Sequence, residues 1–256
     1  MVRDTGGQTG EHEGSGVGRG SVTRALAILA GFADASGDLR LTDIARSAGL
    51  SPSTTHRLLS ALCDEGFLAQ DSSSERYRLG PSILVLGQRA AEQAGFDRAR
   101  PVLSSLAEET GESASLSVRS GRQVLVVMLV PSRHPLRFDH GVGSTIAIHA
   151  SAMGKVMLAF GPDGPVPDGP FERFTARTIT SAKKLAAELS EVRRRGWAVN
   201  HAERYDGVTG VAAPVLATDG TVTAAIGVQG PTARIEALGI ARLGETVRAA
   251  AGELAG

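Results

Sequence analysis

Between Leu41 and Leu79 the chain sets helix stops, a helix start and a turn so close together that only a small compact module can satisfy them all. Thr42 can cap a helix that turns Ile44, Ala45 and Ala48 inward, and Gly49 ends it. Ser51-Pro52 follows: a capping hydroxyl, then proline at the first helical position, where a missing N–H loses nothing. That helix runs to Glu65 and stops at Gly66. Phe67-Leu68-Ala69 and Arg76 to Leu79, split by the polar turn Asp71 to Glu75, read as a β-hairpin. Two short helices joined by a tight glycine turn, then a hairpin, predict a winged helix-turn-helix. Upstream, Ser21 is the expected cap of a helix with Val22, Ala25, Leu26, Leu29 and Phe32 at helical spacing. Gly37 breaks it, and Leu39 to Leu41 predicts a short strand.

The rest of the chain divides around this module. Residues 1–20 hold seven glycines and almost nothing apolar, so they predict a disordered tail. Residues 21–80 form the winged helix-turn-helix, and 81–95 a linker helix capped by Ser82. That helix carries Ile83, Leu84, Leu86 and Ala90 as an apolar face that needs a partner, such as a second subunit. Residues 96–256 predict a second domain. A helix from Asp97 to Thr110 precedes strands Ser113 to Val118 and Val124 to Val130, and a small-residue helix starts near Ser151. Gly161 to Pro170 reads as a loop. Lys183 to Arg195 is an amphipathic helix closed by Gly196. Val211 to Leu216 and Val222 to Val228 flank the Asp219-Gly220 turn, a hairpin signal, and a final helix follows Thr232. The fold class is α+β in two domains, the second an antiparallel sheet flanked by helices.

Composition narrows the function classes. The single cysteine, Cys63, leaves no intramolecular disulfide and argues against a cysteine-based zinc site. No apolar run approaches the roughly 20 residues of a membrane span, and the first residues lack a signal-peptide core. A cytosolic protein with no membrane partner is expected.

The helix opening at Ser51 carries the functional reading. Leu58, Leu59 and Leu62, joined by Thr55, form its buried stripe at about 100° per residue. Ser51, Ser53, Thr54, His56 and Arg57 are then presented from the N-terminal half, the part of a recognition helix that meets base edges in the major groove. Arg57 suits guanine O6 and N7, and the hydroxyls suit phosphate oxygens. Arg76 and Arg78 on the wing, with Arg40 and Arg46, are candidate phosphate contacts. The charge balance is a counterweight. From Ser21 to Gly80 there are six arginines against seven acidic residues. Winged helices also serve as protein-interaction modules, and that alternative stays open on these residues.

Several stretches resemble the IclR family of bacterial transcription regulators. L-T-D-I-A-x-x-A-G-L-S-P-S-T-x-H-R-L-L-x-x-L at Leu41–Leu62 is similar to its DNA-binding helices, and Y-R-L-G at Tyr77–Gly80 to its wing exit. H-A-S-A-M-G-K at His149–Lys155, R-G-W-A at Arg195–Ala198, Glu203, Gly207-Val208, V-A-A-P-V at Val211–Val215 and Gly230-Pro231 follow in the family's order. The resemblance covers about residues 21–240. It implies a regulator, such as a repressor, that binds double-stranded operator DNA as a homodimer or homotetramer. It also implies a GAF-like effector domain for a small organic acid or aromatic metabolite. The pocket it implies comprises Ser151, Ala152, Met153, Asn200, Glu203, Gly210, Gly227 and Gln229. Asn200, Gly210 and Gly227 depart from the acid and hydroxyl or thiol side chains of some members, which implies a roomier, less polar pocket. On the residues alone, Ser151 at a helix start suits a carboxylate or is simply a cap. Strand glycines at 210 and 227 imply close approach of a ligand or another backbone.

Catalysis has little behind it. Ser151 and Lys155 are spaced S-x-x-x-K, one residue longer than the acylating S-x-x-K. His149, His201 and Glu203 are too scattered for a metal set, and His134, His140 and His149 read as loop or surface histidines. The expectation is a non-enzyme without a cofactor or metal.

Overall fold

The computed structural model describes residues 16–33, 35, 37–161 and 169–255. Most of the expected tail, Asp34 and most of the Gly161 to Pro170 loop lie outside the described residues. The chain forms two compact units that divide between Arg89 and Ala90.

In the first unit, α1 (Gly16–Ala30), α2 (Leu41–Ala48) and α3 (Pro52–Asp64) pack around Ile28, Phe32, Ile44, Leu59 and Leu62. The hairpin of β1 (Leu68–Gln70) and β2 (Tyr77–Leu79) adds Leu68 and Tyr77 to this core, with Ala69 opposite Arg78. The helix α4 (Pro81–Gln93) follows. Gly49 and Gly66 end α2 and α3 at φ 64° and 71°, the left-handed region where a side chain is strained.

Five local expectations need correction. The helix α1 begins at Gly16, so Ser21 lies inside it. Ile28 is its inward residue, with Phe32 buried in the turn just after it, while Val22 and Leu26 are 61% and 60% exposed. The run Ala25 to Ala30 is apolar at every position, so its periodicity does not fix a face. Arg40, not Thr42, occupies the start of α2, and the Leu39 to Leu41 strand shrinks to a single bridge between Leu39 and Tyr77. Ser82 lies within the first turn of α4 and donates to the Glu65 carbonyl at 3.0 Å, tying α4 to the end of α3.

The second unit contains α5 (Ala99–Thr110), β3 (Ser113–Ser120), β4 (Gln123–Val130), β5 (Thr145–Ala147), α6 (Ala152–Phe160) and α7 (Ala182–Arg195). It continues with β6 (Ala198–His201), β7 (Val208–Leu216), β8 (Val222–Pro231), α8 (Thr232–Ala237) and α9 (Ile240–Gly252). The six strands form one antiparallel sheet in the order β5-β4-β3-β8-β7-β6. Alternation sorts its side chains into two cores. Val211, Ala213, Ile226 and Val228 face Leu103 of α5 and Val247 of α9. Ala212 and Ala225 face Val156 and Met157 of α6 and Leu185 and Leu189 of α7. Two features depart from the expected pattern. The three-residue β5 was not anticipated, and the final helix is split at Leu238-Gly239, where Gly239 takes φ 80°.

Candidate functional sites

The first site lies on α3. Thr55, Leu59 and Leu62 are buried, whereas Ser53, His56, Arg57 and Ser60 are exposed. The Ser51 hydroxyl accepts from the Thr54 N–H at 3.3 Å and donates to Thr54 Oγ1 at 2.9 Å, so these two side chains serve the cap first. Thr55 is held inside by its own hydroxyl, which donates to the Ser51 carbonyl at 3.0 Å. Arg40 and Arg78 are exposed, and Arg46 makes only a 3.4 Å surface contact with Asp43. Arg76 is different. Its Nη1 donates to the Asp38 carbonyl at 2.9 Å in a half-buried position, so it fastens the hairpin to the neighbouring bridge. Asp71 at the wing turn accepts from the hydroxyls and N–H groups of Ser73 and Ser74, which hold its carboxyl far below the usual carboxylate range.

The second site is a cavity at one end of the large sheet, between the start of α6, the β6–β7 loop and the segment carrying Phe138 and His140. Its walls include Ser151, Ala152, Met153, Asn200, Gly210 and Gln229, six of the eight residues the family resemblance implied. Phe138, His140 and Tyr205 form an aromatic cluster with centroids 5.0–5.7 Å apart. Arg204 also lines it, with Ile146, Val208, Val211, Ala212 and Val228. The enclosed space is small, about 30 Å³. Several lining side chains are already committed. Ser151 Oγ caps α6 by accepting from the Gly154 N–H at 3.0 Å. Asn200 Nδ2 donates to the Ala150 carbonyl at 3.1 Å, and its Oδ1 accepts from the Glu203 N–H at 2.7 Å, bracing the β6–β7 loop against α6. Burial and the nearby Arg204 charge push His140 down to about 4, so its imidazole is neutral at physiological pH.

Glu203 and Gly227 stand outside this lining. Glu203 Oε1 accepts from Lys155 Nζ at 2.5 Å beneath α6, and Lys155 also donates to the Val199 carbonyl at 3.0 Å. Glu188 lies 3.7 Å from Lys155 and 2.9 Å from Arg195, so the network runs from the interior to the surface. The Lys155 amine is thus engaged by Glu203 and the Val199 carbonyl, and no hydrogen bond joins it to the Ser151 hydroxyl, which caps α6. A Cβ on Gly227 would collide with the Val211 carbonyl and Ala212, so this glycine admits a neighbouring strand, not a ligand. A Cβ on Gly210 meets only ordinary contacts, the nearest at 3.5 Å, and Gly210 does line the cavity. His149 is a core residue, 6% exposed, stacked on Phe171 and hydrogen-bonded to the Glu172 carbonyl at 2.9 Å; this corrects the surface reading. His140 lies half-buried in the cavity wall.

Sequence reasoning missed Arg204, Tyr205, Phe138 and His140 in this wall. The signal available was the R-Y pair just after Glu203.

Two family models match the chain in order. The IclR helix-turn-helix domain covers residues 21–72, and the bacterial transcriptional regulator IclR C-terminal domain covers 92–255. The chain belongs to the IclR family. An IclR-family relative in Paracoccus denitrificans, the HTH-type transcriptional regulator BhcR, is 34% identical over 98% of this chain and 91% of its own length. The transcriptional repressor IclR of Escherichia coli is 29% identical over 91% of this chain and 88% of its own. An IclR homologue from Microbacterium hydrocarbonoxydans, solved in complex with 4-hydroxybenzoate, shares the fold with a TM-score of 0.75. It is 23% identical and covers 91% of this chain and 97% of that one. Homologues in the IclR family are transcriptional regulators, and the helix-turn-helix and α+β second domain seen here are the family's architecture.

Proposed function

We propose that this protein is a cytosolic repressor that binds double-stranded operator DNA through α3 and releases it when a small acid or aromatic metabolite occupies the cavity beside α6. The observation that carries this reading is the division of α3. Its Thr55, Leu59 and Leu62 are locked into the core while Ser53, His56 and Arg57 stand exposed on the outer face. In a major groove Arg57 reads guanine, and Arg40, Arg46 and Arg78 meet phosphates. The apolar, exposed α4 pairs two copies as a homodimer, which two dimers extend to a homotetramer, and it carries the effector signal to the spacing of two half-sites. Coupling of this kind is typically about 1–3 kcal/mol. The 4-hydroxybenzoate held by the Microbacterium homologue supports the metabolite reading.

The test is binding of the full-length protein to the DNA upstream of its own gene by fluorescence anisotropy, across a salt series. Affinity should fall with a log–log slope near −0.9 per phosphate neutralised. Arg57→Ala should lower specific binding by about 1–3 kcal/mol and leave non-specific binding nearly unchanged. No binding at low salt would transfer the reading to a winged-helix protein-interaction module.

A further inference from the structure

We propose that Arg204 is the anion anchor of the cavity, so that the effector is a carboxylate whose charged head lies against the Arg204 guanidinium and the Gln229 side-chain amide. This rests on the effector-site reading and specifies the chemistry of its ligand.

The argument begins with where the guanidinium is held. Its face lies over the Phe174 ring at 3.6 Å and over Tyr205 at 5.4 Å. Stacking satisfies the face of the cation but takes none of its protons, which project from the edge. At that edge Nε and Nη1 are buried, and neither has a hydrogen-bond partner in the protein. Buried donors without acceptors are costly, more so when charged. The same condition recurs across the cavity at Gln229 Nε2, which is also buried without a partner. Three buried N–H-bearing atoms on two residues of the cavity lining thus lack acceptors. Ser151 and Asn200, by contrast, have their hydrogen bonds taken up by the fold. Glu203, the carboxylate next in sequence, commits its Oε1 to Lys155, while its Oε2 is buried and makes no hydrogen bond to Arg204 or to any other described group.

The electrostatics agree. His140, against Phe138 and Tyr205, faces the positive Arg204 and the negative Asp139, and burial together with Arg204 holds it neutral. No protonated imidazole therefore competes for the anion, and the aromatic cluster offers an apolar wall to the ligand's body. The cavity is small, and Phe138 and Tyr205 stand in its wall beside Arg204.

The experiment titrates the full-length protein with acetate, propionate and benzoate and with the matched uncharged amides, acetamide, propionamide and benzamide, following binding by calorimetry. At least one acid should bind, and its amide should bind about ten- to a hundredfold more weakly, the span expected for a charge-assisted hydrogen bond. Arg204→Gln should erase the difference between acid and amide, and Arg204→Lys should restore part of it. On acid binding the His140 pKa, read by NMR titration, should rise, because the ligand's charge offsets that of Arg204. A merely structural Arg204 would leave that pKa unmoved by ligand. Equal binding of acids and amides, abolished by Gly210→Phe, would overturn the anchor while keeping the cavity as the ligand site. Acid binding unaltered by both Arg204→Gln and Gly210→Phe would overturn the anchor and the effector site together. No binding by any of the six compounds would overturn the anchor.

Discussion

Lys155 is a long side chain 1% exposed beneath a helix, with Glu203 2.5 Å from its amine and the Val199 carbonyl at 3.0 Å. Removing one member strands the other's charge in a medium of low polarity. Lys155→Met and Glu203→Gln should each lower the stability of the second unit by about 3–5 kcal/mol in urea denaturation. The double variant should lose less than the two single losses combined, since no unpaired charge then remains. His140 supplies a pH signature. Its folded value near 4 lies below the ordinary 6.5 of the unfolded chain, so the stability it contributes is full above about pH 6.5 and declines as the pH falls toward 4. Thermal melts across that window should show an acid-side decline that His140→Gln flattens. Arg204 escaped sequence analysis because its importance depends on Phe174, thirty positions away in the chain, and on donors that only the folded cavity buries.

Among the elements, α3 was the most legible. Its leucines and Thr55 repeat at helical spacing, and Ser51-Pro52 and Gly66 bracket it, so the buried and exposed faces follow from period alone. The helix α1 was not legible in the same way, because an almost wholly apolar stretch fits several faces and only packing against α2 and α3 selects one. Strand β5 is three residues long and, among the described residues, pairs only with β4, too short for any alternation to register. The eight pocket positions came from resemblance to a family, and local geometry separates them. Six line the space, while Glu203 serves a buried ion pair and Gly227 a strand contact. Since Ser51 caps α3 through the Thr54 N–H, Ser51→Ala should lower the stability of the first unit by about 1 kcal/mol. It should also weaken specific DNA binding more than Ser53→Ala weakens stability, measured by parallel melts and anisotropy.

For the molecule as a whole, the decisive element is α4. None of its residues is buried, and Leu84, Val85 and Leu86 are 76%, 61% and 54% exposed. A run of this kind is stable in water only when another surface covers it. Changing Leu84 and Leu86 together to Glu should turn the sedimenting species into a monomer. If the protein is the dimer proposed above, operator affinity should then fall by at least tenfold, because two half-sites could no longer be gripped at once.

The tethering of Arg76 to the Asp38 carbonyl has a consequence for how such a protein would find its target. No lysine lies between Ser21 and Gly80, and one of the six arginines there is occupied in holding the hairpin. Affinity for arbitrary sequence comes from phosphate neutralisation, so on the proposed function a first unit this sparing of cations should hold arbitrary sequence weakly. Fewer copies should then be sequestered by the vast excess of wrong sites.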